Sequence, residues 1–232
     1  MTLHPSPFTP PGFFITGTDT GVGKTLVACA LLHALAGRGL RVAGMKPVAA
    51  GREQDGAFHD VESLVAASNI AAPREWVNPY AFDPPIAPHV AAARAGVRIE
   101  VVRIQEAWRE LSRLAEAVVV EGVGGFLVPL NESEDAGDLA AALGLPVILV
   151  VGLRLGCLNH AFLTAQAVRA AGLPLGGWVA NELAPAMAAL EENIAALDAR
   201  LGCPRLGRIP FLDPPSPRDA AARLDLSRLP RR

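Results

Sequence analysis

A single-domain α/β fold, with one doubly wound and mainly parallel sheet flanked by helices, is what this 232-residue sequence predicts. Three observations lead there. Short runs such as Ala117–Glu121 and Pro146–Val151 are almost continuously apolar and rich in β-branched residues, the pattern of strands covered on both faces. They alternate with helical stretches without a break in composition, which is how strand–helix–strand units read. Hydrophobic residues make up 51% and charged residues 19%, enough to cover a sheet on two sides and far from a disordered composition.

The elements follow in order. Met1–Pro11, with four prolines, is expected to be a loose arm, leaving residues 12–232 as the one domain. Gly12–Ile15 reads as a first buried strand and Leu26–Ala36 as an amphipathic helix. Between them runs Thr16-Gly17-Thr18-Asp19-Thr20-Gly21-Val22-Gly23-Lys24-Thr25. A strand, a glycine-bearing turn ending in Gly-Lys-Thr and a helix together form a phosphate-binding loop. Gly21 and Gly23 let backbone N–H groups close on phosphate oxygens with no Cβ in the way, and the helix adds its positive N-terminal dipole. Lys24 would reach the outer phosphates of a nucleoside triphosphate, and the Thr25 hydroxyl would help hold Mg²⁺. The usual spacing G-x-x-x-x-G-K-T asks for glycine where this chain has Thr18, with Gly17 beside it.

Arg41–Met45 reads as a second strand, running into Lys46-Pro47-Val48, and Gly51–His59 as a surface loop. Asp60 to Asn69 is helical, with Asp60 placed as its N-cap. Ala71–Pro88 is dense in proline, so an irregular excursion that covers a site is expected. Helices are expected over Val90–Ala95 and Glu100–Glu116. The strand Ala117–Glu121 then ends in an acid followed by Gly122-Val123-Gly124-Gly125, and Pro146–Val151 leads through Gly152–Asn159 to a helix ending at Ala171. Leu175–Ala180 is a strand ending at Asn181-Glu182, and Ala186–Leu201 is helical. Arg205–Ile209 is a last short strand before Pro210-Phe211-Leu212 and a proline-rich tail.

Composition excludes several classes. A formal net charge of -2 offers no electrostatic reason to expect nucleic acid or an anionic membrane as partner. The longest uncharged apolar run of the second half, Leu145–Leu153, is far short of the roughly 20 residues that span a bilayer. The N-terminus has neither the basic region nor the apolar core of a secretory signal. Cys29, Cys157 and Cys203 are scattered without C-x-x-C spacing and read as small buried fillers, so a cytoplasmic location is expected.

Open α/β sheets place ligands at the carboxyl ends of their strands. There this chain puts Thr20, Lys24 and Thr25, then Lys46 and Asp60, then Glu121 with its glycines, and finally Asn181. Thr25, Asp60 and Glu121 could supply the few oxygen ligands that Mg²⁺ bound to ATP requires. Glu121 follows four apolar residues, where an acid is otherwise costly. The alternatives are plain helix capping for Asp60 and a surface lysine for Lys46.

Five motifs in order resemble those of dethiobiotin synthetases, of the P-loop NTPase superfamily. They are Gly17 to Thr25, Lys46-Pro47-Val48, Val120 to Gly125, Leu155-Gly156-Cys157-Leu158-Asn159-His160 and Gly177-Trp178-Val179-Ala180-Asn181, with Asn78-Pro79-Tyr80 and Pro88-His89 in agreement. The resemblance implies a homodimeric ligase that closes the ureido ring of dethiobiotin from 7,8-diaminononanoate, CO₂ and ATP. The route implied is a carbamate, then a carbamic–phosphoric anhydride, then ring closure. It further implies that Gly21, Val22, Gly23, Lys24, Thr25 and Leu26 wrap the phosphates, while Thr25, Asp60 and Glu121 hold Mg²⁺. Lys46 would stabilise the carbamate and its transferring phosphoryl group, with Thr20 and Lys24 near both substrates. Glu121, Gly122, Val123 and Gly124 would approach ATP and the diamine. Asn181, Glu182, Pro210, Phe211 and Leu212 match the adenine-binding segment. The turn at Leu158 and Asn159 would receive the substrate carboxylate across a dimer interface, with an ordinary helix cap as the alternative for Asn159.

Two departures stand out. A serine common in such enzymes is Ala50 here, removing a hydroxyl near the diamine, and an acid some members use on the ribose would fall near Pro217. Switch ATPases of chromosome partitioning or septum positioning are the main rival. They carry a second lysine, K-G-G-x-G-K-T, where this chain has Asp19, a reversal of charge. An amidotransferase-linked ligase of cobalamin synthesis would need a glutaminase domain for which 232 residues leave no room. A bare nucleotide-binding module leaves Lys46 and the Leu155–His160 stretch unexplained.

Overall fold

A computed structural model describes residues 12–229. The expected arm, Met1–Pro11, lies outside the described residues. Six strands form one parallel sheet: β1 (Gly12–Gly17), β2 (Val42–Met45), β5 (Ala117–Glu121), β6 (Val147–Leu153), β7 (Leu175–Glu182) and β8 (Arg205–Ile209), in the spatial order β2-β5-β1-β6-β7-β8. The order reverses at β1, whose neighbours are β5 and β6, and a crevice opens at such a point beyond the carboxyl ends.

Strand periodicity sorts the core. Phe14, Val118 and Val120 face one cluster, packed under α5 (Val101–Leu114) and α6 (Ala136–Leu143). Their neighbours Phe13, Ile15 and Val119 face the other, packed under α1 (Lys24–Ala36) and α2 (His59–Ala67). Beyond them α7 (Cys157–Ala170) and α8 (Leu190–Arg200) close over β6 and β7 around Trp178. The sequence therefore places the sheet, its direction and its principal helices correctly.

Five local expectations are corrected or supplemented. Asp60 is not an N-cap: α2 begins one residue earlier, with Phe58 at the cap and no side-chain cap bond. The proline-rich excursion is not irregular throughout. It contains α3 (Arg74–Val77) and β4 (Tyr80–Phe82), and β4 pairs in parallel with β3 (Val48–Ala50) as a second small sheet, before α4 (Pro88–Arg94). Three-residue strands carry too little periodicity to be seen from sequence. Helix α6 was not expected, although its start is marked by a reciprocal capping box between Asp135 and Asp138. In the tail, α9 (Pro217–Ala221) and a 3₁₀ turn at Leu226–Arg228 fold back so that Ala220, Leu226 and Leu229 are buried in the α1 core cluster. Proline at the first position of α9 starts that helix rather than preventing it. Helix α8 also starts later than expected, at Leu190 after Ala189 in the left-handed region.

The three cysteines are unpaired, Cys29 and Cys157 buried and Cys203 half-buried, as fillers should be. Burial pushes the Cys29 thiol up to about 12, well away from reactivity. Among the described residues no helix is long and apolar enough to cross a membrane.

Candidate active site

Strand register assembles the charges. Met45 of β2 lies opposite Val120 of β5, so the next residues along, Lys46 and Glu121, arrive side by side at the sheet edge. Lys46 Nζ lies 2.5 Å from Glu121 Oε1 and 2.9 Å from Asp60 Oδ2. Both Lys46 and Glu121 are almost fully buried, at 3% and 1% exposure. The backbone of Lys46 is held from the small excursion: its N–H donates to Val77 O at 2.8 Å and its carbonyl accepts from Asn78 Nδ2 at 2.7 Å. Asn78-Pro79-Tyr80 is therefore part of what aims the lysine.

The loop between β1 and α1 completes the arrangement. Gly21 and Gly23 take positive φ, 72° and 92°, as the tight return into the helix requires. Thr25 Oγ1 donates a hydrogen bond to a carboxylate, with Glu121 Oε1 at 2.9 Å and Asp60 Oδ1 at 3.0 Å. Lys24 folds back and donates to its own loop at Asp19 O, 3.0 Å away. Asp19 itself pairs with Arg154 beyond β6, so it gives no second loop cation.

The two lysines are in opposite electrostatic positions. Burial pulls Lys24 down to about 8, with the charge of Lys46 acting in the same direction. Burial would lower Lys46 too, but Glu121 and Asp60 outweigh it and hold the ammonium above the ordinary lysine range. For Asp60 burial is likewise outweighed, by Lys46 and the Thr25 hydrogen bond, and its carboxyl sits low. For Glu121 burial wins and raises the carboxyl, with Lys46 opposing.

Thr25, Asp60 and Glu121 offer only hard oxygen donors, and Glu121 Oε2 is buried with no hydrogen-bond partner. An orphaned carboxylate oxygen beside a hydroxyl and a second carboxylate fits Mg²⁺. Among the described residues no group of three or more His, Cys, Asp or Glu forms a cage.

A cavity of about 700 Å³ gathers Thr20, Gly21, Gly23, Lys24, Thr25, Lys46, Ala50, Asp60, Glu121, Val123 and Gly124. Ala50 lines it without a hydroxyl, as the sequence implies. Pro85, Ile86, Ala87 and Pro88, of the proline-dense stretch expected to cover a site, also line it, as does Val128, for which the sequence holds no expectation. Proline density is the signal that marks the 84–88 wall; Val128 carries none. Val22 lies buried under the loop, and Leu26 and Gly122 are outside the cavity lining, with the Gly122 carbonyl facing Lys46 Nζ at 3.4 Å. Asn181 is buried against the loop, and Glu182 is paired with Arg208. Pro210 and Leu212 line a separate cavity of about 350 Å³ with Asp219 and Arg223, while Phe211 is exposed beside it. Asp219 was missed because its helix was read as tail. Leu158 and Asn159 do not line either cavity; Gly156, not Asn159, caps α7, and Leu155 next to it is 99% exposed.

With Lys24 pulled down to about 8 by burial, a polyphosphate beside it should favour its charged form. ADP binding at pH 8.5 should therefore take up protons, read by calorimetry in two buffers of different ionisation heat. Lys24→Met should lose that uptake, and a wild-type protein that takes up none would remove Lys24 from the phosphate site.

The fold is shared by MinD cell division protein of Aquifex aeolicus (TM-score 0.56, 15% identity, 88% of this chain and 83% of that one). It is shared also by the 54 kDa signal recognition particle protein of Aeropyrum pernix K1 solved with GDP (TM-score 0.55, 15% identity, 93% of this chain and 45% of that one). At such identity these establish architecture alone. Residues 11–218 match the AAA domain family. An ATP-dependent dethiobiotin synthetase, BioD of Nitrosospira multiformis, is 59% identical over 218 residues, covering 94% of this chain and 96% of its own length. With two buried lysines, a metal-ready oxygen cluster and a glycine loop converging on one cavity, and with that identity along nearly its whole length, the chain belongs to the dethiobiotin synthetase family.

Proposed function

We propose that this protein closes the ureido ring of dethiobiotin from 7,8-diaminononanoate, CO₂ and ATP, releasing ADP and phosphate. The observation that carries the reading is the buried Lys46 at the meeting point of the phosphate loop and the metal-ready carboxylates, in a chain 59% identical to a dethiobiotin synthetase. One amine of the diamine takes up CO₂ as a carbamate and releases a proton. A carbamate oxygen then forms a bond to the γ-phosphorus of ATP as ADP leaves. The second amine attacks the carbonyl of the resulting anhydride, forming the second C–N bond and expelling phosphate.

Such a phosphoryl transfer depends on positioning and charge neutralisation more than on covalent help. Lys24 leaves Asp19 O for the outer phosphates, and Gly21 to Leu26 wrap them. Lys46 faces the carbamate and the transferring phosphoryl group, while Thr20, Val123 and Gly124 shape the wall. Thr25, Asp60 and Glu121 would hold Mg²⁺, which when bound neutralises phosphate charge. Asn181, Glu182 and Pro210–Leu212 take the adenine, with Asp219 lining the adjacent cavity where Pro217 offers no acid. The reading places the enzyme in the reducing cytoplasm, in keeping with three unpaired thiols.

We assign it a homodimeric state, because Leu158 and Asn159 do not line the cavity of their own chain while Leu155, Leu127 and Leu163 are exposed at 99%, 63% and 55%. One 24.2 kDa chain per particle in sedimentation equilibrium would refute that. Phosphate release from Mg·ATP and bicarbonate should depend on the diamine, with a product heavier by one carbonyl less two hydrogens. Turnover indifferent to the diamine would point instead to a switch ATPase. Glu121→Gln should shift the Mg²⁺ activation curve upward at least about tenfold, and an unchanged curve would take Glu121 out of the metal site.

A further inference from the structure

The apex of the phosphate loop is seated on three strand ends. Val22 is 1% exposed, and its side chain fills a niche that exists because two strands carry glycine there. A Cβ at Gly17 of β1 would lie 2.5 Å from Val22 Cγ2, and one at Gly152 of β6 would lie 2.9 Å from Val22 Cγ1. The third contact is polar. Asn181 of β7, itself 4% exposed, donates its side-chain amide to Val22 O at 2.9 Å. Facing a carbonyl oxygen, the end of the asparagine in this contact must be its nitrogen. The same nitrogen would lie 2.2 Å from a Cβ at Gly23, so the loop passes directly over Asn181 and only glycine fits.

Carbonyl and N–H of a trans peptide point to opposite sides. We infer that Asn181 is a positioning residue of the phosphate loop: by holding the Val22 carbonyl down on the sheet edge, it turns the Gly23 N–H outward to the phosphates in the cavity that Gly23 lines. Glycine at 23 makes this lock necessary, since a residue without Cβ adopts either sign of φ and its peptide turns over freely. On the adenine assignment proposed above, the base would be left Oδ1 and the second amide hydrogen of Asn181, so that one side chain would tie recognition of adenine to the shape of the loop that grips its phosphates. The inference rests on the nucleotide reading above and adds a coupling between the two ends of the nucleotide.

Inorganic tripolyphosphate with Mg²⁺ separates the two roles, because it has no base. In Asn181→Ala its affinity should fall about tenfold or more, and Asn181→Asp should be worse, since a carboxylate repels the Val22 carbonyl. Tripolyphosphate binding within about twofold of wild type in a folded variant, with ATP alone weakened, would reduce Asn181 to a base contact and overturn the inference. A measurement on the unaltered protein guards against variants that do not fold. In glycine-¹⁵N-labelled enzyme the Gly23 amide should move strongly downfield on adding tripolyphosphate; a Gly23 signal that stays while Gly21 moves would overturn it equally. Wild-type protein that fails to bind tripolyphosphate would refute the phosphate-loop reading itself, a failure distinct from that of Asn181.

Discussion

The site depends on one pair of charges that cannot leave the protein. Lys46 and Glu121 are both out of water, 2.5 Å apart, and removal of either partner from such a pair costs about 3–5 kcal/mol because the survivor is stranded. The pair forms only if β2 and β5 are neighbours, run in the same direction and end at the same level. The register of Met45 on Val120 supplies all three conditions. Thr25 then ties the start of α1 to the pair, and Asp60 ties in α2, so the ends of two strands and two helices are fixed around one cation.

The contrast between the two lysines follows from that arrangement. Lys46 has two carboxylates and is electrostatically settled, whereas Lys24 has a single backbone carbonyl and bears its burial with little compensation. A cation left short of partners in a closing loop is ready for an incoming polyphosphate. A cation already compensated by two carboxylates is better suited to stay in place at the strand ends.

The segments that looked least structured in the sequence are the ones that steer the site. The excursion after α2 pins both backbone polar groups of Lys46 through Val77 and Asn78, and its prolines 85 and 88 form a wall of the main cavity. The tail packs α9 on α1 and brings Asp219 beside Pro210 and Leu212. Short elements of this kind are stabilised by tertiary contact rather than by their own periodicity, so their local sequence announces little.

The sequence alone determined the parallel sheet, the phosphate loop and the candidacy of Lys46, Glu121 and Thr25. Each of these rests on signals confined to a few adjacent residues: continuous β-branched runs, glycines before Lys-Thr, an acid at the end of a buried strand. Tertiary structure decided what depends on distance between segments. Asp60 could be a cap or a ligand from sequence, and only its place 2.9 Å from Lys46, with Phe58 at the cap, makes it part of the charge cluster. Asn181 could be assigned to a base by its motif, but not to Val22, because that contact joins residues 159 apart through strand order. Periodicity reports which face a residue takes; which strand end it meets there is settled by register and crossover, and those exist only once the sheet has formed.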